Sequence, residues 1–293
     1  MTGTELLTVL AAALVGAVVA DRVGAALIVR APPRLLRENV TGVRVPAVLG
    51  LAVVTGGAVA CAGLLFVYLA RGDGDLLGSA LGVRITLATL IVIVVLGAAG
   101  WWDDLRGRER PRGFAGHLGA FRRLQLTGGL VKIAAGLVAG AGAALLLGAS
   151  FTGAGLTWMF QVVALVGLGA NFINLLDRAP GRAGKVALAA AVVLIAFGLL
   201  QWGTSAAGLF GALAACLPAD LRARGMLGDA GANPLGGAIG LGLAVSLPSA
   251  GRWIVIGLLL ILNLISERYS FSRYIAKSPP LKRLDMLGRD REP

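Results

Sequence analysis

Long apolar runs, recurring almost from one end of the chain to the other, constrain it more than any other feature. They lie near 4–29, 46–70, 84–100, 124–148, 156–176, 185–202, 204–218, 233–248 and 251–267. Most approach or exceed the roughly 17–20 residues an α-helix needs to cross the hydrocarbon core of a bilayer. In a bilayer every backbone polar group must be satisfied within the protein, so runs of this length imply helices. The expected architecture is an all-α, polytopic transmembrane bundle of about nine helices. The runs at 204–218 and 233–248 are short, and the hairpins 185–218 and 233–267 are open to a partly re-entrant path. Crossing or re-entrant, each hairpin returns to the side it left.

Composition agrees. Mean hydropathy is +0.83, only 14% of residues are charged, and many of the 44 glycines are scattered through the apolar runs. Small residues let membrane helices approach closely, so a tightly packed bundle is expected, and a homodimer is compatible with it. The first run follows Thr2, Gly3, Thr4 and Glu5, not a basic segment, and reads as a retained helix. Residues 1–267 read as one transmembrane domain and 268–293 as a basic tail. Cys61 and Cys216 lie inside apolar runs and read as small buried hydrophobes.

The net charge of +12 does not point to nucleic acid, because the basic residues flank the spans. Placing 30–46, 101–123, 177–185, 218–233 and 267–293 on one side gathers 22 of the 27 Lys and Arg there. The opposite side keeps Arg71, Arg84 and Arg252. The positive-inside rule then puts the rich side in the cytoplasm of a cell (plasma) membrane protein, with the N-terminus outside and the C-terminus inside. The tail, with Arg268, Arg273, Lys277, Lys282, Arg283, Arg289 and Arg291, is expected to lie against anionic lipid headgroups.

Acids in or beside a membrane are costly and need a reason. Asp73 and Asp75 read as solvated loop residues, and Asp21 with Arg22 as a local ion pair. Asp103 and Asp104 follow Trp101 and Trp102, an aromatic pair of the kind found at headgroup level. Asn171, Asn174 and Asp177, spaced by three, share one helical face at the inner end of the fifth run. Asp229 sits between Gly228 and Gly231, in a turn ahead of the eighth run. Carboxylates and amide oxygens are hard ligands suited to Mg²⁺, which commonly recruits one or two carboxylates plus substrate phosphates. Arg106, Arg108, Arg110, Arg112, Arg178, Arg182 and Lys185 stand nearby as candidate phosphate holders. The bland reading pairs each acid with a neighbouring arginine.

Three segments in order, Trp102-Asp103-Asp104-Leu105-Arg106-Gly107, Asn171-x-x-Asn174-x-x-Asp177 and Leu227-Gly228-Asp229-Ala230-Gly231, resemble the polyprenyl-phosphate N-acetylhexosamine-1-phosphate transferase superfamily. The similarity runs from Asn39-x-x-Gly42-x-x-Val45-Pro46-x-x-Leu49-Gly50 to about residue 245. The resemblance implies a Mg²⁺-dependent enzyme that moves a sugar 1-phosphate from a UDP-sugar to a polyprenyl phosphate and releases UMP. It implies Asn174 and Asp229 as metal ligands, with Asp103 and Asp104 as catalytic residues beside the reacting phosphates. Beside these, Asp177 reads as a further catalytic candidate, and Asn171, Lys132, Arg178 and Arg182 as candidates for holding the substrates. Asp104 is the candidate for removing a residual proton. Lys132 has two readings, snorkelling to the interface or reaching the phosphates.

Two departures stand out. The family commonly continues its second motif as Asp-Gly-x-Asp-Gly, whereas here Asp177-Arg178-Ala179-Pro180-Gly181-Arg182 replaces the second acid by Pro180. The family's histidine-rich loop has no counterpart, since His117 is the single histidine. These departures keep alive a non-catalytic reading, in which the protein binds lipid phosphate as a partner or regulator of envelope assembly. A transporter would need acids near the midplane and inverted repeats, and the acids here lie at helix ends.

Overall fold

A computed structural model describes residues 3–39, 42–71, 80–106, 128–197 and 200–289. Asp73, Asp75, Arg108, Arg110, Arg112, His117 and Arg291 lie outside the described residues. The helices are α1 (Gly3–Arg30), α2 (Leu49–Arg71), α3 (Ala80–Arg106), α4 (Gly128–Leu146), α5 (Gly153–Leu176), α6 (Arg182–Ala196), α7 (Leu200–Leu221), α8 (Gly228–Ser246), α9 (Ser249–Arg268), α10 (Phe271–Lys277) and α11 (Pro279–Met286). Seven of them, α1 to α5, α7 and α9, are long and apolar enough to cross a membrane. The chain is an all-α multi-pass bundle with one small β-hairpin among its described residues, β1 (Leu36–Glu38) against β2 (Arg44–Pro46), with Leu36 opposite Pro46.

The short helices are not the two the hydropathy suggests. α7 has 22 residues and starts at Leu200, while α6 stops at Ala196 after 15. Gln201 and Gly203 lower the local hydropathy, but Trp202 is buried and its indole N–H donates to the carbonyl of Ala238 at 3.1 Å, which holds this turn helical. α3 runs six residues beyond the expected end and carries Asp103 and Asp104 on the helix itself.

α8 is the axis of the bundle. Fifteen of its 19 residues are buried, and it packs against α2, α3 and α5. Its glycines allow this. A Cβ on Gly236 would strike the backbone of Gly169 in α5, and one on Gly100 in α3 would strike the carbonyl of Asp229. A Cβ on Gly231 would stand 2.6 Å from the Cα of Gly50 in α2. Such backbone-to-backbone contact replaces the hydrophobic drive that lipid does not supply. Gly231→Val is therefore expected to cost about 1–3 kcal/mol by overpacking, seen as a lower melting temperature in detergent.

The hairpin and the segment before α8 are stitched together. Met226 N–H donates to Pro46 carbonyl at 2.9 Å, and the N–H groups of Leu49 and Gly50 donate to the carbonyls of Met226 and Leu227, each at 3.1 Å. This fixes the start of α8 against the start of α2. The tail from Phe271 onward does not hang free: it forms α10 and α11 and folds back on the start of α6.

Candidate functional site

The first turn of α8 is the meeting point of the three acidic segments. Gly228 opens it with φ +64, a left-handed conformation that glycine adopts without strain. Asp229 thus lies inside the first helical turn and not in a turn ahead of it. The N-terminus of a helix exposes unpaired N–H groups and favours negative charge. Asp104, only 6% exposed, answers both demands. Its Oδ1 accepts from Asp229 N–H at 3.2 Å and its Oδ2 from Ala230 N–H at 2.9 Å. A guanidinium N–H of Arg37, from the hairpin, donates to the backbone carbonyl of Asp104 and ties β1 to the end of α3.

Asp103, next along α3, faces a different neighbour. Its carboxylate lies 3.0 Å from the ammonium of Lys132, which also donates to Oδ2 of Asp229. Lys132 sits in the second turn of α4, and Gly128 one turn earlier leaves room for the Asp103 carboxylate, which a Cβ there would strike. The Lys132 ammonium thus bridges two of the acids.

The second motif divides. Asn174 donates through Nδ2 to Oδ1 of Asp229 and to Oδ1 of Asn233, both at 2.9 Å. Asp177, at the C-terminal cap of α5, accepts from the N–H of Gly228. Asn171 turns away and donates to Asn263 of α9. Asn263 is the interhelical hydrogen-bond residue its buried position suggests. Arg178 lines a small cavity with Asn39, Asp177, Pro180 and Asp220. Arg182 is engaged by Asp285 and Ser272 of the tail. The structure therefore brings Asp103, Asp104, Lys132, Asn174, Asp177 and Asp229 together, and directs Asn171 and Arg182 to other partners.

Sequence reasoning passed over Arg37, Asn233, Asp220 and Asp285. Asn233 stands four residues after Asp229 and so shares its helix face. Asp220 lies just past the apolar run 204–218, beside Arg222 and Arg224, where it reads as an ordinary loop charge. Arg37 and Asp285 carry no local signal, because both act across long sequence distances.

Burial, with the Asp220 carboxylate beside it and those of Asp229 and Asp104 beyond, pushes the Asp177 carboxyl well above the usual carboxylate range. The unfolded chain ionises this group near its ordinary value, about 3.9. The fold therefore loses stability as pH rises from that value toward the raised one. Asp177→Asn, which can still accept from Gly228, is expected to remove this loss. The variant should melt higher than the parent at about pH 8, with the difference vanishing at acid pH.

Three carboxylates with one ammonium among them leave the cluster short of positive charge, which suits a hard cation. Asp103 and Asp229 are close enough to share one ammonium, so their oxygens also fit Mg²⁺, an ion commonly held by one or two carboxylates and completed by phosphate oxygens and water. Among the described residues no group of three or more His, Cys, Asp or Glu forms an all-protein cage. An ion held by these two carboxylates would need water or phosphate oxygens to complete its shell. Comparison of the chain with protein-family models and with curated proteins gives no match.

Proposed function

We propose that this protein transfers a sugar 1-phosphate from a UDP-sugar to a polyprenyl phosphate at the cytoplasmic face of the plasma membrane, with Mg²⁺ as cofactor, in cell-envelope polysaccharide or peptidoglycan synthesis. The observation that carries this reading is the convergence of Asp103, Lys132, Asn174 and Asp229 on the first turn of α8. These residues come from four helices, and their chemistry matches two anionic phosphates that must approach one another.

In the proposed reaction an oxygen of the lipid phosphate attacks the phosphorus that bears the sugar. The bond from that phosphorus to UMP breaks, and the UMP phosphate keeps the electron pair. The lipid phosphate is largely dianionic at neutral pH, its second pKa being about 6, so little base catalysis is required. Mg²⁺, when bound, supplies charge neutralisation and alignment of the phosphates. Asp103 and Asp229 are the residues to hold it, and Asn174 orients Asp229. Lys132 supplies a positive charge for the transferring phosphate, and Arg178 one for the donor. Asp104 acts through the helix it caps. Asp177 sits at the donor side, at the edge of the cavity lined by Arg178 and Asp220.

Purified protein with Mg²⁺, undecaprenyl phosphate and a panel of UDP-sugars is expected to release UMP with at least one donor. The second reading, a non-catalytic lipid-phosphate binder, is favoured by one observation: Arg182, at the altered second motif, is taken up by Asp285. Lipid binding without UMP release from any donor would select it.

The orientation rests on the 22 Lys and Arg gathered on one side. A reporter fused after Pro293 is expected to be active only inside the cell. Periplasmic activity would reverse the bundle and place the acid cluster on the outer face.

A further inference from the structure

Among the described residues outside the acid cluster, the carboxylate of Asp285 in α11 is held by two arginines. Arg182 donates to it from Nε and Nη2, each at 2.8 Å, and Arg289 from Nη2 at 2.7 Å. All three side chains are at least nine-tenths buried. Lys185 caps the end of the same helix, its ammonium donating to the carbonyls of Leu284, Asp285 and Leu287 at 3.0, 2.6 and 3.0 Å. Phe271 packs edge-on against Phe172 of α5, with ring centroids 6.3 Å apart. Burial pushes the Asp285 carboxyl up, but the guanidinium groups of Arg182 and Arg289 outweigh it and hold it below the usual carboxylate range.

An exposed ion pair contributes little to stability, whereas breaking a buried one is strongly destabilising, because it strands a charge. A tail serving only as a spacer or as a lipid contact has no use for such a knot. What the knot holds is the loop 177–181. Arg289 Nε donates to the carbonyl of Pro180 at 2.8 Å, and Arg182 begins the helix that this loop feeds. The other side of the same loop forms a wall of the cavity through Asp177, Arg178 and Pro180. Beneath it, Asp220 accepts from the N–H of Gly181, whose φ of +65 reverses the chain. The loop is held between the tail on one side and the cavity on the other.

We infer that Asp285 and Arg289 are positioning residues: the C-terminal segment Phe271–Arg289 is a clamp that holds the loop 177–181 and thereby shapes the cavity it lines. The inference rests on the proposed function only in naming the nucleotide donor as the substrate that feels the clamp. Holding the loop through the last described turn of the chain makes the site depend on residues about a hundred positions away in sequence.

The test uses the full chain in detergent or nanodiscs, with Asp285→Asn, Arg289→Met and Asp285→Glu compared by amide hydrogen exchange. In the first two variants, exchange across 178–182 should accelerate about tenfold or more, while the 228–236 segment of α8 stays protected. Asp285→Glu keeps the charge and should restore most of the protection. With an active donor, the first two should raise its KM about tenfold and leave kcat and the KM for lipid near the parent values. Unchanged exchange across 178–182 would overturn the clamp, as would equal loosening of the whole bundle. A faster loop with an unchanged donor KM would overturn the coupling to the site. A parent protein that turns over no donor would defeat the proposed reaction, and the exchange data would still decide the clamp.

Discussion

Asp229→Asn is expected to lower UMP release by roughly a hundred- to a thousandfold, the scale of losing one directly placed electrostatic group from a transition state. The substitution keeps the size of the side chain and one oxygen acceptor, so Asn174 retains its partner. It removes the charge that balances Lys132 and that a hard cation needs. Stability should fall modestly, because Lys132 keeps its contact with Asp103 at 3.0 Å and the turn is set by Gly228. Mg²⁺ affinity, read as the metal-dependent rise in melting temperature, should fall with the rate. A variant that turns over normally would take Asp229 out of the mechanism. A variant that loses stability with no change in rate would make the Lys132 contact purely structural.

Asp104→Asn is expected to behave in the opposite way, although the residue belongs to the same cluster. Both oxygens of Asp104 accept backbone N–H groups of the first turn of α8. An amide offers one oxygen, and its NH₂ would face a donor. A hydrogen bond to a charged group contributes about 1.5–3 kcal/mol, and leaving a buried donor unpaired costs about 1–3 kcal/mol more. A loss of about 3–5 kcal/mol should lower the melting temperature by about 6–20 °C on the scale of a domain of 150–250 residues. Activity should fall along with folded protein, and added Mg²⁺ should not restore stability. If Asp104 is instead the proton acceptor of the resemblance, Asp104→Asn melts near the parent and turns over slowly with a changed pH profile. Measuring both quantities on one preparation separates cap from base.

The contrast between these two neighbours shows what the sequence could carry. The apolar runs determined the bundle, since a stretch without charges has only one way to satisfy its backbone in lipid. The spacing of Asn174 and Asp177, the adjacency of Asp103 and Asp104, and the glycines around Asp229 marked the residues that meet. Each is a local pattern, and local patterns survive in one dimension. Their division of labour is not local. Asp103 and Asp104 differ because successive residues on a helix point about 100° apart, and only the placement of α4 and α8 decides that one meets an ammonium and the other two amides.

The same reason explains where the sequence fell short. Asn171 shares a face with Asn174, yet α9 lies against its turn and supplies Asn263 as partner. Arg182 follows the altered motif and reads as a phosphate ligand, until a tail a hundred residues later returns with Asp285. The lengths of α6 and α7 turned on Trp202 burying itself against Ala238, a contact that hydropathy does not register. Hydrophobic pattern and charge bias fix what must be in the membrane and which residues are too costly to be there idly. Which of those residues touch is decided by close glycine-mediated packing around α8, a property of the whole bundle and of no single segment.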